Sequence, residues 1–331
     1  MKSPKNRLSL ATYKEGVLKG DRVILSRAIT LIESTLESDQ ALADELIREI
    51  LPYTGKSIRI GITGVPGVGK STFIESFGSL VTSHGHKLAV LAIDPSSQRS
   101  GGSIMGDKTR MELLSHHPKA YIRPSAAGTS LGGVSAKTRE AMLLCEAAGH
   151  DVIFIETVGV GQSEIMVRDM VDFFLLLMLA GAGDELQGIK KGIIEIADAI
   201  AITKADSGNE AQAKRAKLEY SNALHLFPLA ENGWTPQVKI CSALENKGLA
   251  EIWDMIQSYK IQMIERGHFE KNRKDQRVHW MHEHIKHLLG LHFYQNEKVK
   301  ALIKSIEEKV AKEEESPIAM AKMLLNTYHQ A

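Results

Sequence analysis

Eight consecutive residues, Gly64-Val65-Pro66-Gly67-Val68-Gly69-Lys70-Ser71, follow the pattern GxxxxGK[ST] directly after an apolar run and before a helix-length stretch. Glycines at these places let backbone N–H groups turn inward around phosphate oxygens. Lys70 brings a point charge to the β and γ phosphates, and the Ser71 hydroxyl can ligate magnesium. The loop, Gly64, Val65, Pro66, Gly67, Val68, Gly69, Lys70 and Ser71 with the adjoining Thr72, is the candidate phosphate site. Val65 stands where one ATPase class carries a second lysine that reaches across a dimer, and that lysine is absent. Three carboxylates, Asp94, Asp107 and Glu156, lie at or just beyond the ends of later strand-like runs. Mg²⁺ takes a few oxygen ligands and keeps several waters, so one or two of them suffice beside Ser71 and the phosphates. Taken singly, an Asp at a strand end caps a turn; after a phosphate loop it reads as a metal ligand.

The stretch from Asp94 to Ser103 is rich in Ser and Gly and has the character of a switch loop ordered by its ligand. Glu156-Thr157-Val158-Gly159 has the spacing of the DxxG element of GTPases, with Glu for Asp and the Gly159 N–H as the sensor of a γ-phosphate. The residue after that glycine orients the attacking water when it is Gln. Here it is Val160, which implies slow intrinsic hydrolysis, and Gln162 could serve only after the loop rearranges. Thr203-Lys204-Ala205-Asp206 matches the guanine-reading [NT]KxD pattern: Asp206 accepts from the ring N–H and exocyclic amine, a pair adenine lacks, and Lys204 lies over the ring. Asn in place of Thr203 would offer an amide bridging base and phosphate loop, so Thr203 is expected to weaken that support without changing specificity. Ser242-Ala243-Leu244 follows as an SAx loop whose Ala243 N–H meets the guanine carbonyl oxygen.

These motifs need a scaffold that places them together. Three helical segments, about Ser9 to Lys19, Asp21 to Ser38 and Asp39 to Leu51, each open at a capping Ser or Asp. From Ser57, short β-rich runs alternate with helix-length stretches: Ile58 to Thr63, Lys87 to Ile93, Asp151 to Glu156, Asp172 to Leu179, Ala197 to Thr203 and Gln237 to Cys241. Such alternation predicts an α/β P-loop NTPase fold with a mainly parallel sheet flanked by helices, its ligand beyond the carboxyl ends of the strands. The β signal stops after Gly267, and the charged remainder reads as helical, with Pro317 opening the last helix. The expected organisation is an N-terminal helical segment over 1–54, a nucleotide-binding domain over 55–267 and a C-terminal helical arm over 268–331. Arg123 with Ser125 and the 128–133 stretch could bind an anion or pack beside the switch. His279, His282, His284 and His287 spread around a helix and lack HExxH spacing, so they read as solvated or interface histidines.

Composition narrows the function classes. The 331 residues are 43% hydrophobic and 24% charged, which excludes disordered and collagen-like chains. Forty-one basic against forty acidic side chains, net +1, leave no global field for nucleic acid or an anionic bilayer. The longest apolar run, Phe173 to Ala180, is far short of the roughly twenty residues of a membrane span and reads as a buried strand. Cys145 and Cys241 form no CxxC, so neither a disulfide framework nor a thiolate metal site is indicated, and a reducing cytoplasm fits.

Together, GVPGVGKS, DPSSQRSGGSIMGDKTRM, ETVGVGQSE, AGAGDELQGIKKGI, TKAD and CSAL closely resemble the MeaB/ArgK/MMAA-type P-loop GTPases, the G-protein chaperones of adenosylcobalamin-dependent methylmalonyl-CoA mutase. The resemblance runs from the N-terminal helices to about Gly267, and more loosely through the terminal arm, which in that family makes a homodimer. It implies a GTP- and GDP-binding enzyme that gates cofactor loading of the mutase. It implies Lys70 and Ser71 on phosphate and magnesium, Asp94, Asp107 and Glu156 in the magnesium and switch network, and Lys204, Asp206 and Ala243 on guanine. The segment Ala180 to Gly192 matches an extra switch coupling nucleotide state to the mutase, with Lys190 or Lys191 acting there. Two rival readings are a P-loop kinase linked to amino-acid transport, which needs an acceptor pocket, and a nickel metallochaperone GTPase, which needs a Cys/His site near the phosphate loop.

Overall fold

The computed structural model describes residues 7–93, 111–124, 131–157, 163–180, 191–206, 208–228 and 230–329. Ser9 caps α1 (Leu10–Leu18) by accepting from the Thr12 N–H, and Asp21 caps α2 (Arg22–Ile32) by accepting from Val23 and Ile24. The third helix departs from expectation. α3 (Glu37–Ile50) begins earlier, after Leu36 and with no side-chain cap, and the Asp39 carboxylate, inside its first turn, accepts from Arg7 Nε at 2.9 Å on Oδ1. Asp39 still lies in the first turn, where a negative charge suits the helix dipole.

Seven strands follow: β1 (Ile58–Gly64), β2 (Leu88–Ile93), β3 (Ala120–Arg123), β4 (Val152–Thr157), β5 (Phe173–Leu179), β6 (Ala199–Thr203) and β7 (Gln237–Ile240). They form one all-parallel sheet in the order β3-β2-β4-β1-β5-β6-β7. β3 was not legible in the sequence. It has four residues, too few to show a period, and it is an edge strand held only by β2. The run expected as a buried strand at Phe173 is β5, which packs between β1 and β6 with its first six residues buried. Continuous apolar strands are what a sheet covered on both faces requires.

The connecting helices are α4 (Lys70–Ser83), α5 (Glu112–His116), α6 (Leu131–Ala147), α7 (Ser163–Arg168), α8 (Lys191–Glu195), α9 (Glu210–Leu224) and α10 (Leu249–Glu265). One core joins Ile60, Ile62, Phe73, Phe77, Phe154, Phe173, Trp253 and Tyr259, with Phe77 stacked on Phe154 at 5.4 Å. Each such side chain contributes about 1.5–3 kcal/mol when fully buried. β1 is central, with β4 on one side and β5 on the other, so the phosphate loop emerges between the ends of those two strands.

α11 (His268–Gln295) is followed by α12 (Glu297–Ala311) and α13 (Pro317–His329), which Pro317 opens. The chain divides into two compact units after Gln276, and Phe269, Arg273 and Gln276 on α11 are buried in the first. Arg273 donates to both Asp172 oxygens, at 2.8 and 2.6 Å, and to the carbonyls of Gly55 and Ser57 at 2.7 Å. In the second unit α12 and α13 pack as a hairpin around Val299, Ile306 and Leu324. Among the described residues no helix is long and apolar enough to cross a membrane.

Candidate functional site

The phosphate loop has the shape its glycines were placed to allow. Gly67 and Gly69 hold φ of 77° and 89°, a region costly for side chains, and Gly69 sits at the N-terminus of α4. A Cβ on Gly64 would lie 2.6 Å from the Leu177 carbonyl oxygen, so close packing of β1 on β5 demands glycine there. Val68 is buried and anchors the loop in the core, while Pro66 and Gly67 are exposed and Val65 is half-buried. Ser71 is half-buried in the first turn of α4 and Thr72 beside it is exposed.

Lys70 donates from Nζ to the Gly64 carbonyl at 2.8 Å. Burial lowers its ammonium from the usual lysine range, and Glu156 and Glu164 oppose that shift. Glu156 is buried near the end of β4, in register with Ile62 of β1. Glu164, the last residue of the ETVGVGQSE run, lies in the first turn of α7 and is also buried. A cation, a hydroxyl and a buried carboxylate thus share the strand ends around the loop. Oxygen donors of this kind fit a hard divalent cation. Asp94, Asp107, Gln162 and Lys190, with Gly159 and Val160, lie outside the described residues.

The second half of the site is bonded to the first. The Thr203 hydroxyl, on a residue only 2% exposed, donates to the Val68 carbonyl at 2.9 Å and the Met178 carbonyl at 3.2 Å. The bridge to the phosphate loop, expected to be weak with Thr in place of Asn, is therefore made by a hydroxyl. Lys204 donates from Nζ to the Gly67 carbonyl at 2.7 Å and adopts φ of 56°, a left-handed conformation held in part by Asn209 Nδ2 on its carbonyl at 3.1 Å. A strained residue of this type, costing on the order of 1–3 kcal/mol, persists where surrounding contacts over-determine it.

Asp206 accepts from the Ser242 hydroxyl on Oδ2 at 2.5 Å. Ser242 is fully buried and itself accepts from the Glu245 N–H at 3.1 Å. Ala205 N donates to the Cys241 carbonyl at 3.1 Å, so the TKAD and SAL segments are stitched together. Leu244 is 74% exposed. Arg123, weighed as an anion ligand, instead pairs with Glu33 and donates to Thr30, which ties β3 to α2. Ser125 and the first part of the 128–133 stretch lie outside the described residues.

A loop built for phosphates, joined by two hydrogen bonds to a segment spaced for guanine, is the arrangement of a P-loop GTPase. The sequence model of the family described as "Methylmalonyl Co-A mutase-associated GTPase MeaB" matches residues 25–298. The chain belongs to the MeaB family. A putative GTPase of Caulobacter vibrioides is 50% identical over 97% of this chain and 98% of its own. The mitochondrial methylmalonic aciduria type A homolog of Mus musculus is 45% identical over 95% of this chain and 78% of its own. A solved structure of a protein named LAO/AO transport system kinase superposes over 99% of this chain and 100% of its own, with a TM-score of 0.77 at 38% identity. As a MeaB-family member the protein is a GTPase, and its sheet has the P-loop GTPase architecture.

Proposed function

We propose that this MeaB-family GTPase acts on an adenosylcobalamin-dependent methylmalonyl-CoA mutase, gating the loading of its cofactor and protecting the enzyme. The observation that carries the reading is the bonded continuity of the two half-sites, Thr203 to Val68 and Lys204 to Gly67, which ties any nucleotide-driven movement of the phosphate loop to the guanine-reading segment. The family description and the name of the mouse relative support the mutase as partner.

In this reading Lys70 neutralises phosphate charge, the loop N–H groups hold the phosphate oxygens, Asp206 and Ala243 read guanine, and Lys204 covers the ring. Mg²⁺ would be held by Ser71 and Glu156 with Asp94 and Asp107, and when bound it supplies charge neutralisation at the transferred phosphate. Val160 in the water-orienting place makes the isolated protein slow, with Gln162 brought into use only by a docked partner. Residues 96–107, 158–164 and 181–192 are the switches, and Lys190 or Lys191 acts at the mutase contact. The C-terminal arm forms a homodimer. Val278, Met281, Ile285 and Leu288 on α11 are exposed at the three-and-four spacing of a helix–helix seam. Sedimentation giving a monomer would exclude that assembly.

The test compares the GTPase rate with and without the mutase of the same organism, under conditions where the two bind. The expected result is a rise in kcat that Lys190→Ala or Lys191→Ala diminishes. No change in rate would refute the chaperone reading and favour the rival transport-linked kinase, the structural relative being named a LAO/AO transport system kinase.

A further inference from the structure

Six hydroxyl side chains lie on α4, the helix that starts at the phosphate lysine. Ser and Thr inside helices ordinarily bond back to a carbonyl one turn earlier. Ser79 does so to Glu75, Thr82 to Gly78 and Ser83 to Leu80, at 2.7–3.0 Å. Ser76 does not. Its hydroxyl leaves the helix and donates to the carbonyl of Ala243, 167 residues away, at 2.8 Å.

The Ala243 peptide groups are held from both sides. Before it, the Ser242 carbonyl accepts from Lys247 N at 3.0 Å and the Ser242 N–H donates to the Lys247 carbonyl at 2.9 Å. After it, Ser76 holds the Ala243 carbonyl. Cys241 is likewise fully engaged, its N–H on the Ile202 carbonyl at 2.8 Å and its carbonyl on the Ala205 N–H at 3.1 Å. Of the backbone donors of Cys241, Ser242 and Ala243, the one with no protein partner among the described residues is the Ala243 N–H, the group assigned to the guanine carbonyl oxygen.

We propose that Ser76 is a positioning residue for guanine recognition: from the phosphate-binding helix it fixes the peptide that follows Ala243, so that the Ala243 N–H in the peptide before it reads the carbonyl oxygen of the base from a place that depends on α4. The inference rests on the proposed guanine reading by Asp206 and Ala243. Its content is separate, because Asp206 senses the ring N–H and amine whereas Ser76 acts only on the reading of the carbonyl oxygen. Ser76→Ala removes the hydroxyl, and alanine is the best helix former, so α4 persists.

The experiment titrates GDP, 6-thio-GDP and IDP into the full-length wild type, Ser76→Ala, Ser76→Thr and Asp206→Asn by calorimetry, with XDP added for the wild type and Asp206→Asn. In 6-thio-GDP a larger sulfur, a poorer acceptor, replaces the carbonyl oxygen; IDP lacks only the amine. Loss of one neutral hydrogen bond predicts that Ser76→Ala weakens GDP about two- to tenfold and narrows the preference for GDP over 6-thio-GDP by a similar factor. The preference for GDP over IDP is unchanged, and Ser76→Thr restores the wild-type values. Equal weakening of all three nucleotides, no weakening of GDP, or no rescue by Thr overturns the proposal. Asp206→Asn separates the two levels by its preference between GDP and XDP. If it does not shift toward XDP, the guanine reading falls and Ser76's role with it; if it shifts while Ser76→Ala is inert, the role of Ser76 alone falls.

Discussion

Replacing Thr203 by Val exchanges a hydroxyl for a methyl of nearly the same size, so the packing of a residue 2% exposed is kept and the donor is deleted. Two carbonyls lose that donor, one on Val68 in the phosphate loop and one on Met178 in β5, and both residues are buried. Leaving a buried acceptor unsatisfied costs about 1–3 kcal/mol. The 3.2 Å branch to Met178 is the weaker of the two, which puts the expected loss near the lower end, about 1–1.5 kcal/mol in urea unfolding. Because the stronger branch holds the loop itself, a comparable amount is lost from GDP binding, roughly five- to tenfold in Kd. Thr203→Ser supplies the control: it keeps the donor, loses one buried methyl worth about 0.8 kcal/mol of stability, and should bind GDP as the wild type does. Calorimetric titration beside equilibrium unfolding separates the two quantities. Unchanged GDP affinity in Thr203→Val, or an equal loss in Thr203→Ser, would refute the argument that the hydroxyl supports the loop.

Lys70→Ala should weaken GTP by roughly ten- to a hundredfold and abolish turnover, as expected for a lost charge-assisted contact, with the far-UV spectrum retained; unchanged turnover would remove Lys70 from the phosphate site. Asp206→Asn should move preference from guanine toward xanthine nucleotides, and equal affinity of the wild type for GDP and ADP would already sink the base assignment. Glu146 is buried, accepting from Arg59 at 2.9 and 3.1 Å and from the Gly55 N–H at 2.8 Å. Burial pushes its carboxyl up, but the Arg59 charge and hydrogen bonds, with the Ser57 hydroxyl, outweigh it and leave the carboxyl below its usual range. Its stabilising contribution is therefore present above the unfolded-state value and lost as pH falls through the folded-state value. Glu146→Gln should cost about 3–5 kcal/mol at pH 7, by leaving Arg59 buried without its counter-charge, and should flatten the acid limb of a stability–pH profile below about pH 5. An unaltered acid limb would show that Glu146 does not set it.

The phosphate-loop motif was legible because it is written in contiguous residues. Gly67 and Gly69 take positive φ just before α4 opens at Lys70, the backbone that the GxxxxGK[ST] spacing predicts. The alternation of apolar runs with helical stretches likewise announced a parallel sheet, since each strand buried on both faces must be apolar along its length. Three features were decided elsewhere. The four-residue β3 exists because β2 offers it a ladder. α3 starts at Glu37, which leaves Asp39 inside its first turn and bonded to Arg7 and not at the cap. The first turns of α11 join the sheet because Asp172 and two carbonyls surround Arg273. The bonds that join the motifs, Thr203 to Val68, Lys204 to Gly67 and Ser76 to Ala243, span 135, 137 and 167 residues. A hydroxyl, an ammonium and a carbonyl so far apart in sequence carry no mutual signal. They meet because β1, β6 and β7 end on the same edge of one sheet, and only the folded strand order puts them there.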